Sequence, residues 1–166
     1  MIYRTLFQLL SPSGAGARLS TLIFHRVLPA PDPLFPNEMY AHRFDAVCNW
    51  LATWFNVLPL DVAVNLMKTG DLPARAASIT FDDGYADNFR VAMPILRRHG
   101  LTASFFIATG FLDGGRMWND SIIESIRQCT ADSLDLKSLG LGTFDLGSVE
   151  ARRNTIVALI DQIKYR

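Results

Sequence analysis

Ser78-Ile79-Thr80-Phe81-Asp82-Asp83-Gly84-Tyr85 is a short apolar run that ends in two adjacent carboxylates and a glycine. The residues from Ala76 to Phe81 read as a buried strand, and Tyr85 opens a helical pattern. Neighbouring aspartates repel each other, so their placement at the end of a buried strand is best explained by a cation or a shared proton. That pairing points to the chemistry of a hydrolytic metal site. The competing reading makes Asp83-Gly84 an ordinary turn and helix cap. The strand before it and the helix after it weigh against that.

Outward from this pair the chain repeats a strand-then-helix order. Leu19 to Val27 contains Thr21-Leu22-Ile23-Phe24, a continuous apolar run that predicts a buried strand ending at His25-Arg26. Pro29 to Pro36 predicts a loop, and Phe44, Val47, Leu51, Trp54 and Phe55 predict a helix over 43–55. A short strand over 56–60 follows, then a helix with Asp61 as N-cap that stops near Gly70. Beyond the aspartates, Tyr85 to His99 predicts a helix kinked at Pro94 and closed by Gly100, and Thr102 to Ile107 another strand. This order implies a parallel sheet, either a barrel or an open α/β layer. In both, ligands bind at the carboxyl ends of the strands, the rim that carries Asp82 and Asp83.

After Gly110 the pattern changes. Ser121 and Glu124 have capping-box spacing at the start of a helix. Leu134-Asp135-Leu136 and Phe144-Asp145-Leu146 predict a hairpin. Ile156, Leu159, Ile160 and Ile163 mark a last helix over about 148–164, whose apolar stripe is expected on the sheet or on a partner.

Composition excludes several function classes. With 166 residues, 49% hydrophobic and 19% charged, the chain is long enough for one folded unit with a real core. Sixteen basic and sixteen acidic residues cancel, leaving no chain-wide field to hold nucleic acid or an anionic membrane. Cys48 and Cys129 form no C-x-x-C and are read as buried apolar fillers. The apolar patch Thr5 to Leu10 is shorter than the roughly 7–15 residues of a signal-peptide core. A cytoplasmic location is therefore expected. A run of about 18 apolar residues is missing, so no transmembrane segment is expected. Aspartyl-phosphate enzymes place two aspartates two apart, whereas here they are adjacent with Asp87 four further on. A P-loop motif does not occur either.

Thr80-Phe81-Asp82-Asp83-Gly84-Tyr85, then Pro94-Ile95-Leu96 and Gly100-Leu101-Thr102-Ala103-Ser104-Phe105-Phe106-Ile107, resemble the opening block of the polysaccharide deacetylase family with the NodB-homology domain. Leu22-Ile23-Phe24-His25-Arg26-Val27 resembles the first strand of members with a Tyr-His-x-Val type start. Together these cover most of residues 20–110. The resemblance implies an α/β fold, a partial (β/α) barrel of the polysaccharide deacetylase type with parallel strands and flanking helices. Residues 1–18 would be an N-terminal segment. Residues 19–166 would be the N-terminal half of a NodB-homology deacetylase domain, with an insertion at about 111–166. The implied reaction is hydrolysis of an N-acetyl or O-acetyl group on an acetylated carbohydrate. Asp82 matches the catalytic base and Asp83 a ligand of a divalent metal, zinc first, with cobalt or nickel as alternatives. Such an ion polarises the acetyl carbonyl and acidifies water while a carboxylate takes the proton. Gly84 and the backbone N–H of Tyr85 would lie where an oxyanion is stabilised.

The sequence departs from the family at its second half. The family's H-[ST]-x-x-H ligands, base-orienting arginine and final acid histidine have no counterpart, and the only histidines are His25, His42 and His99. One carboxylate holds a divalent ion weakly, since catalytic sites use about three protein ligands. The expectation is a chain truncated before its histidine motif, with metal weakly held or absent, and inactive alone. The alternative is a non-catalytic half-domain that binds carbohydrate or a partner chain. His25 and Tyr85 are candidate site-lining residues. His25 could equally be a histidine hydrogen-bonded at a strand end, and Tyr85, like Trp118, an aromatic that packs and not one that stacks on a sugar. His42 and His99 are expected to be structural. The oligomeric state is not legible.

Overall fold

The computed structural model describes residues 2–164, with side chains from Thr5 onward. Met1, Tyr165 and Arg166, which fall in the expected segments 1–18 and 19–166, lie outside the described residues. In chain order the elements are α1 (Ile2–Leu10), β1 (Leu19–Phe24), α2 (Ala41–Trp54), β2 (Asn56–Val57), α3 (Leu60–Thr69), β3 (Ala76–Phe81), α4 (Met93–Arg98) and β4 (Ser104–Phe105). Then follow α5 (Trp118–Gln128), β5 (Ser133–Asp135), β6 (Thr143–Asp145) and α6 (Val149–Ile163). Residues 2–31 with 37–108 form one unit, and 32–36 with 109–164 a second.

In the first unit every residue of β3 is buried. That burial follows from its neighbours. β1 runs parallel along its whole length, from Leu19 opposite Ala76 to Phe24 opposite Phe81. The other edge is shared, with β2 against Ala76 and Ala77 and β4 against Thr80 and Phe81. All the pairings are parallel, and helices flank the sheet, as the strand–helix order predicts, but β1, expected to be buried, is not, and its Ile23 is 62% exposed.

Residues alternate sides along a strand, so Ile79 and Phe81 join Phe44, Cys48 and Leu51 of α2 and Ile95 and Leu96 of α4 in one core. Phe81 is its hub. Its ring lies 5.4 Å from that of Phe24, 5.8 Å from Phe44 and 5.0 Å from Phe105. A smaller cluster joins Ala63 of α3 with Leu72 and Ala76. Cys48 is a filler as expected, wholly buried, with its thiol pushed up to about 12 by burial. Cys129 is only half-buried.

Several boundaries differ from expectation for local reasons. The helix after the aspartates starts as a π-helical stretch over Asn88–Ala92 before becoming α4. Pro94 has no N–H to give a carbonyl four residues back, and the wider turn absorbs that loss. α3 is entered at Pro59, so Asp61 sits inside the first turn and is not the N-cap. α5 begins at Trp118, and Ser121 Oγ donates back to the carbonyl of Met117 instead of forming a capping box. β4 is two residues long because it meets β3 only at Thr80 and Phe81.

In the second unit, β5 and β6 pair antiparallel with Leu134 opposite Phe144, matching the expected hairpin. Ser148 caps α6 by accepting from the Ala151 N–H at 3.0 Å. The apolar stripe of α6, expected on the sheet or on a partner, is buried within its own unit. Ile156 and Leu159 bury against Ile126 of α5 and Leu146 beside the hairpin, a second core within this unit.

α2 and α4 are tied by a polar contact at the edge of the first core. Asp45 Oδ1 accepts from Arg98 Nη2 at 2.8 Å and lies 2.8 Å from His99 Nε2, so His99 has the structural role expected of it. The contact with His99, and then that with Arg98, holds the Asp45 carboxyl below the usual carboxylate range. A depressed folded-state pKa gives stability that is present above the unfolded value, about 3.9, and lost as pH falls through the lowered value. Asp45→Asn therefore lowers Tm near neutral pH, and the gap from the parent narrows as pH falls below about 4. Thermal unfolding across pH checks this, and a gap constant down to pH 2 contradicts it.

Candidate functional site

Because β1 and β3 are parallel and in register, the residues that follow them emerge side by side. Phe24 faces Phe81, and the Asp82 N–H extends the ladder by donating to the Phe24 carbonyl at 2.9 Å. His25 Nε2 then lies 4.0 Å from Asp82 Oδ2. Their side chains are 60% and 39% exposed, so this pair is reachable from solvent.

The turn behind Asp82 is tight and unusual. Asp83 has φ 72° and Gly84 φ 73°, two successive left-handed residues. Gly84 is required on two counts. Its φ favours glycine, and a Cβ there would stand 2.9 Å from Ile107 Cδ1 and 3.1 Å from Cγ2. Asp83 tolerates its φ at a cost of about 1–2 kcal/mol. Strain of this kind persists where the surroundings fix it, as at ligand sites. The Gly84 N–H donates to the Asp82 carbonyl at 2.9 Å and closes the turn.

Beneath this rim lies a polar tie that the sequence reading missed. Asp87 is 9% exposed. Its Oδ2 accepts from Arg26 Nε at 2.9 Å and Nη2 at 2.8 Å, and its Oδ1 from the Val27 N–H at 3.2 Å. Asn88, with its amide turned to suit its neighbours, donates from Nδ2 to the His25 carbonyl at 3.0 Å and to Asp87 Oδ1 at 3.2 Å. The Arg26 guanidinium also covers the Tyr85 ring, 4.6 Å from its centroid. Tyr85 is thus half-buried as one layer of this tie. The signal available in the sequence was a cation after the first strand and a carboxylate after the third, on two segments that parallel register makes adjacent.

The structure therefore brings Asp82 and His25 together, sets Asp83 next to them on a strained turn, and supports Tyr85 from below. His42 and His99 belong elsewhere. His42 lines a cavity of about 420 Å³ with Asp45, Arg90 and Arg98. Among the described residues no three His, Cys, Asp or Glu side chains gather closely enough to hold a metal ion. A catalytic divalent site needs about three such ligands. The residues present do not make one by themselves.

Comparison with known proteins finds matches over the part of the chain that carries the aspartates. The family model described as polysaccharide deacetylase matches residues 69–133, which include β3 and the aspartates. YxkH of Bacillus subtilis (strain 168), whose name assigns it provisionally to the polysaccharide deacetylases, is 28% identical over 93 residues, 55% of this chain and 32% of that protein. The chain thus spans about a third of the length of the curated relative it matches. Among solved structures, the Streptococcus pyogenes deacetylase PplD in complex with acetate superposes with a TM-score of 0.53 at 20% identity, covering 66% of this chain and 52% of that one. IcaB from Ammonifex degensii does so with a TM-score of 0.51 at 25% identity, covering 70% and 50%.

Gly84 offers a direct check on the turn. Gly100 has a comparable φ of 64° with open space around its Cβ direction, so it isolates backbone strain from collision. Gly100→Ala is expected to cost about 1 kcal/mol and Gly84→Ala about 1–2 kcal/mol more, measured by urea unfolding. Equal costs would show that Ile107 yields freely and that the turn is not held.

Proposed function

We propose, from the match of residues 69–133 to the polysaccharide deacetylase family, that the chain supplies the carboxylate half of a hydrolase that removes acetyl groups from a carbohydrate. One observation carries this reading: β3 delivers Asp82 and Asp83 to the strand-end rim, with His25 4.0 Å from Asp82. Asp82 is the base. Its half-exposed carboxylate can take the proton from a water that attacks an acetyl carbonyl. Asp83, fixed by the left-handed turn, is the first ligand of a divalent cation, zinc before cobalt or nickel. His25 and Tyr85 line the same rim.

The remaining ligands and the acid that protonates the leaving amine lie, on this proposal, outside these 166 residues. Residues 111–166 are then an insertion ahead of that second half, and the chain alone turns over little or no substrate. The lack of a three-donor grouping among the described residues favours one second reading, a half-domain that binds an acetylated carbohydrate or a partner chain without turnover.

Three measurements separate these readings. The 166-residue chain, loaded with zinc and passed through gel filtration, is expected to keep well below one ion per molecule, and a stoichiometric ion with acetate release overturns that. Coding sequence downstream of Arg166 is expected to carry an in-frame H-[ST]-x-x-H, and its absence favours the binding reading. In the protein so completed, Asp83→Ala loses metal, while Asp82→Asn keeps metal and lowers acetate release by at least about 100-fold. Retained turnover in either variant refutes the assigned role.

A further inference from the structure

The loop between β1 and α2 starts and ends in the first unit, yet its tip, Asp32-Pro33-Leu34-Phe35-Pro36, belongs to the second. Its base is pinched shut, where the Leu28 N–H donates to the Met39 carbonyl and the Ala41 N–H to the Leu28 carbonyl, both at 2.8 Å. The tip makes a tight turn of its own. The Phe35 N–H donates to the Asp32 carbonyl at 3.1 Å, and the Leu34 N–H to Asp32 Oδ1 at 2.9 Å. Aspartate at the first position and proline at the second favour such a turn. Pro29, Pro31, Pro33 and Pro36 restrict the loop before it docks, which lowers the entropy lost on seating it.

The second unit meets this turn with charge, backbone bonds and apolar contact at once. Arg127 of α5 forks the Asp32 carboxylate, Nη1 to Oδ1 at 3.1 Å and Nη2 to Oδ2 at 2.6 Å, the planar two-bond geometry that discriminates best. Arg153 of α6 donates from Nε to the Leu34 carbonyl and from Nη2 to the Pro33 carbonyl, both at 2.9 Å. Leu34, 6% exposed, is buried in one cluster with Ile126, Ile156 and Leu159, and Phe35 packs at its margin. Connecting loops run over surfaces. A loop tip that carries a core leucine and two arginine contacts is instead a built-in ligand.

We propose that the second unit is a receptor for the Asp32–Pro36 turn, filled in cis, and that it needs this turn to keep its own core closed. Residues 109–164 are then not a self-contained insertion. They form one folding unit only together with a segment supplied from the β1–α2 loop. That loop follows His25 and Arg26, so the second unit fixes the course of a chain segment that leaves a strand end, where α/β folds place their ligand-binding loops. The inference does not depend on the deacetylase reading, because the contacts are made by residues 32–36, α5 and α6, none of which belongs to the aspartate rim.

Hydrogen exchange on the full chain tests it, with Asp32→Ala and Leu34→Ala combined to empty the receptor. The amides of α5 and α6 are expected to lose protection by about tenfold or more, while those of β3 keep theirs. Arg127→Gln, which leaves the core residues intact, should give a smaller loss in the same two helices. A synthetic peptide of residues 30–38, supplied at about 5 mM to exceed the millimolar effective concentration of a short tether, is expected to restore protection in the double variant. The parent, whose receptor is filled, should not bind it. Four outcomes overturn the proposal: unchanged α5 and α6 protection in the double variant, a loss shared equally by β3, no restoration by the peptide, or equal peptide binding by parent and variant.

Discussion

The buried carboxylate of Asp87 holds together two segments that chain connectivity leaves apart. Arg26 and Val27, after β1, donate to it, while Asp87 itself follows β3. Four donors on one carboxylate, counting Asn88, offset the desolvation that would otherwise make a buried charge unfavourable. The consequence is geometric. The strand ends cannot splay, so His25 and Asp82 remain neighbours and the strained Asp83–Gly84 turn is fixed on both sides.

That constraint operates on top of a core that is mostly aromatic. Phe24, Phe44, Phe81 and Phe105 stack or meet edge-on around the last residue of β3, which leaves little freedom for the strand end just before the aspartates. Rigid packing below and a strained turn above are a common division of labour at sites that bind or react. The strand and helix framework gives precision, and the loop carries the chemistry.

Much of the first unit was legible in the sequence because its signals are local. The apolar run of β3 gave its boundaries and Gly70 marked the end of α3 through its left-handed φ of 78°, while in the second unit the 134–146 hairpin showed as alternation around a glycine. What failed was either short or long-range. β4 shrank because strand length depends on how far a partner extends, and the π-helical stretch before Pro94 reflects a competition for carbonyls that a propensity reading does not weigh. The α6 stripe announced burial without naming its partner, which proved to be α5 and the hairpin. At the site, Asp82 and Asp83 were visible as an adjacent pair. Arg26 and Asp87, 61 residues apart, became meaningful only once parallel register joined them.

A double-mutant cycle on Arg26 and Asp87 is the most direct test, with Arg26→Gln, Asp87→Asn and the pair compared by urea unfolding and by hydrogen exchange at the Val27 and Asp82 amides. A coupling energy of about 1–2 kcal/mol, with both amides losing protection together in each single variant, is the predicted result. A coupling near zero, or an Asp82 amide that stays protected when Asp87 is neutralised, would contradict the view that this tie holds the carboxylate rim in place.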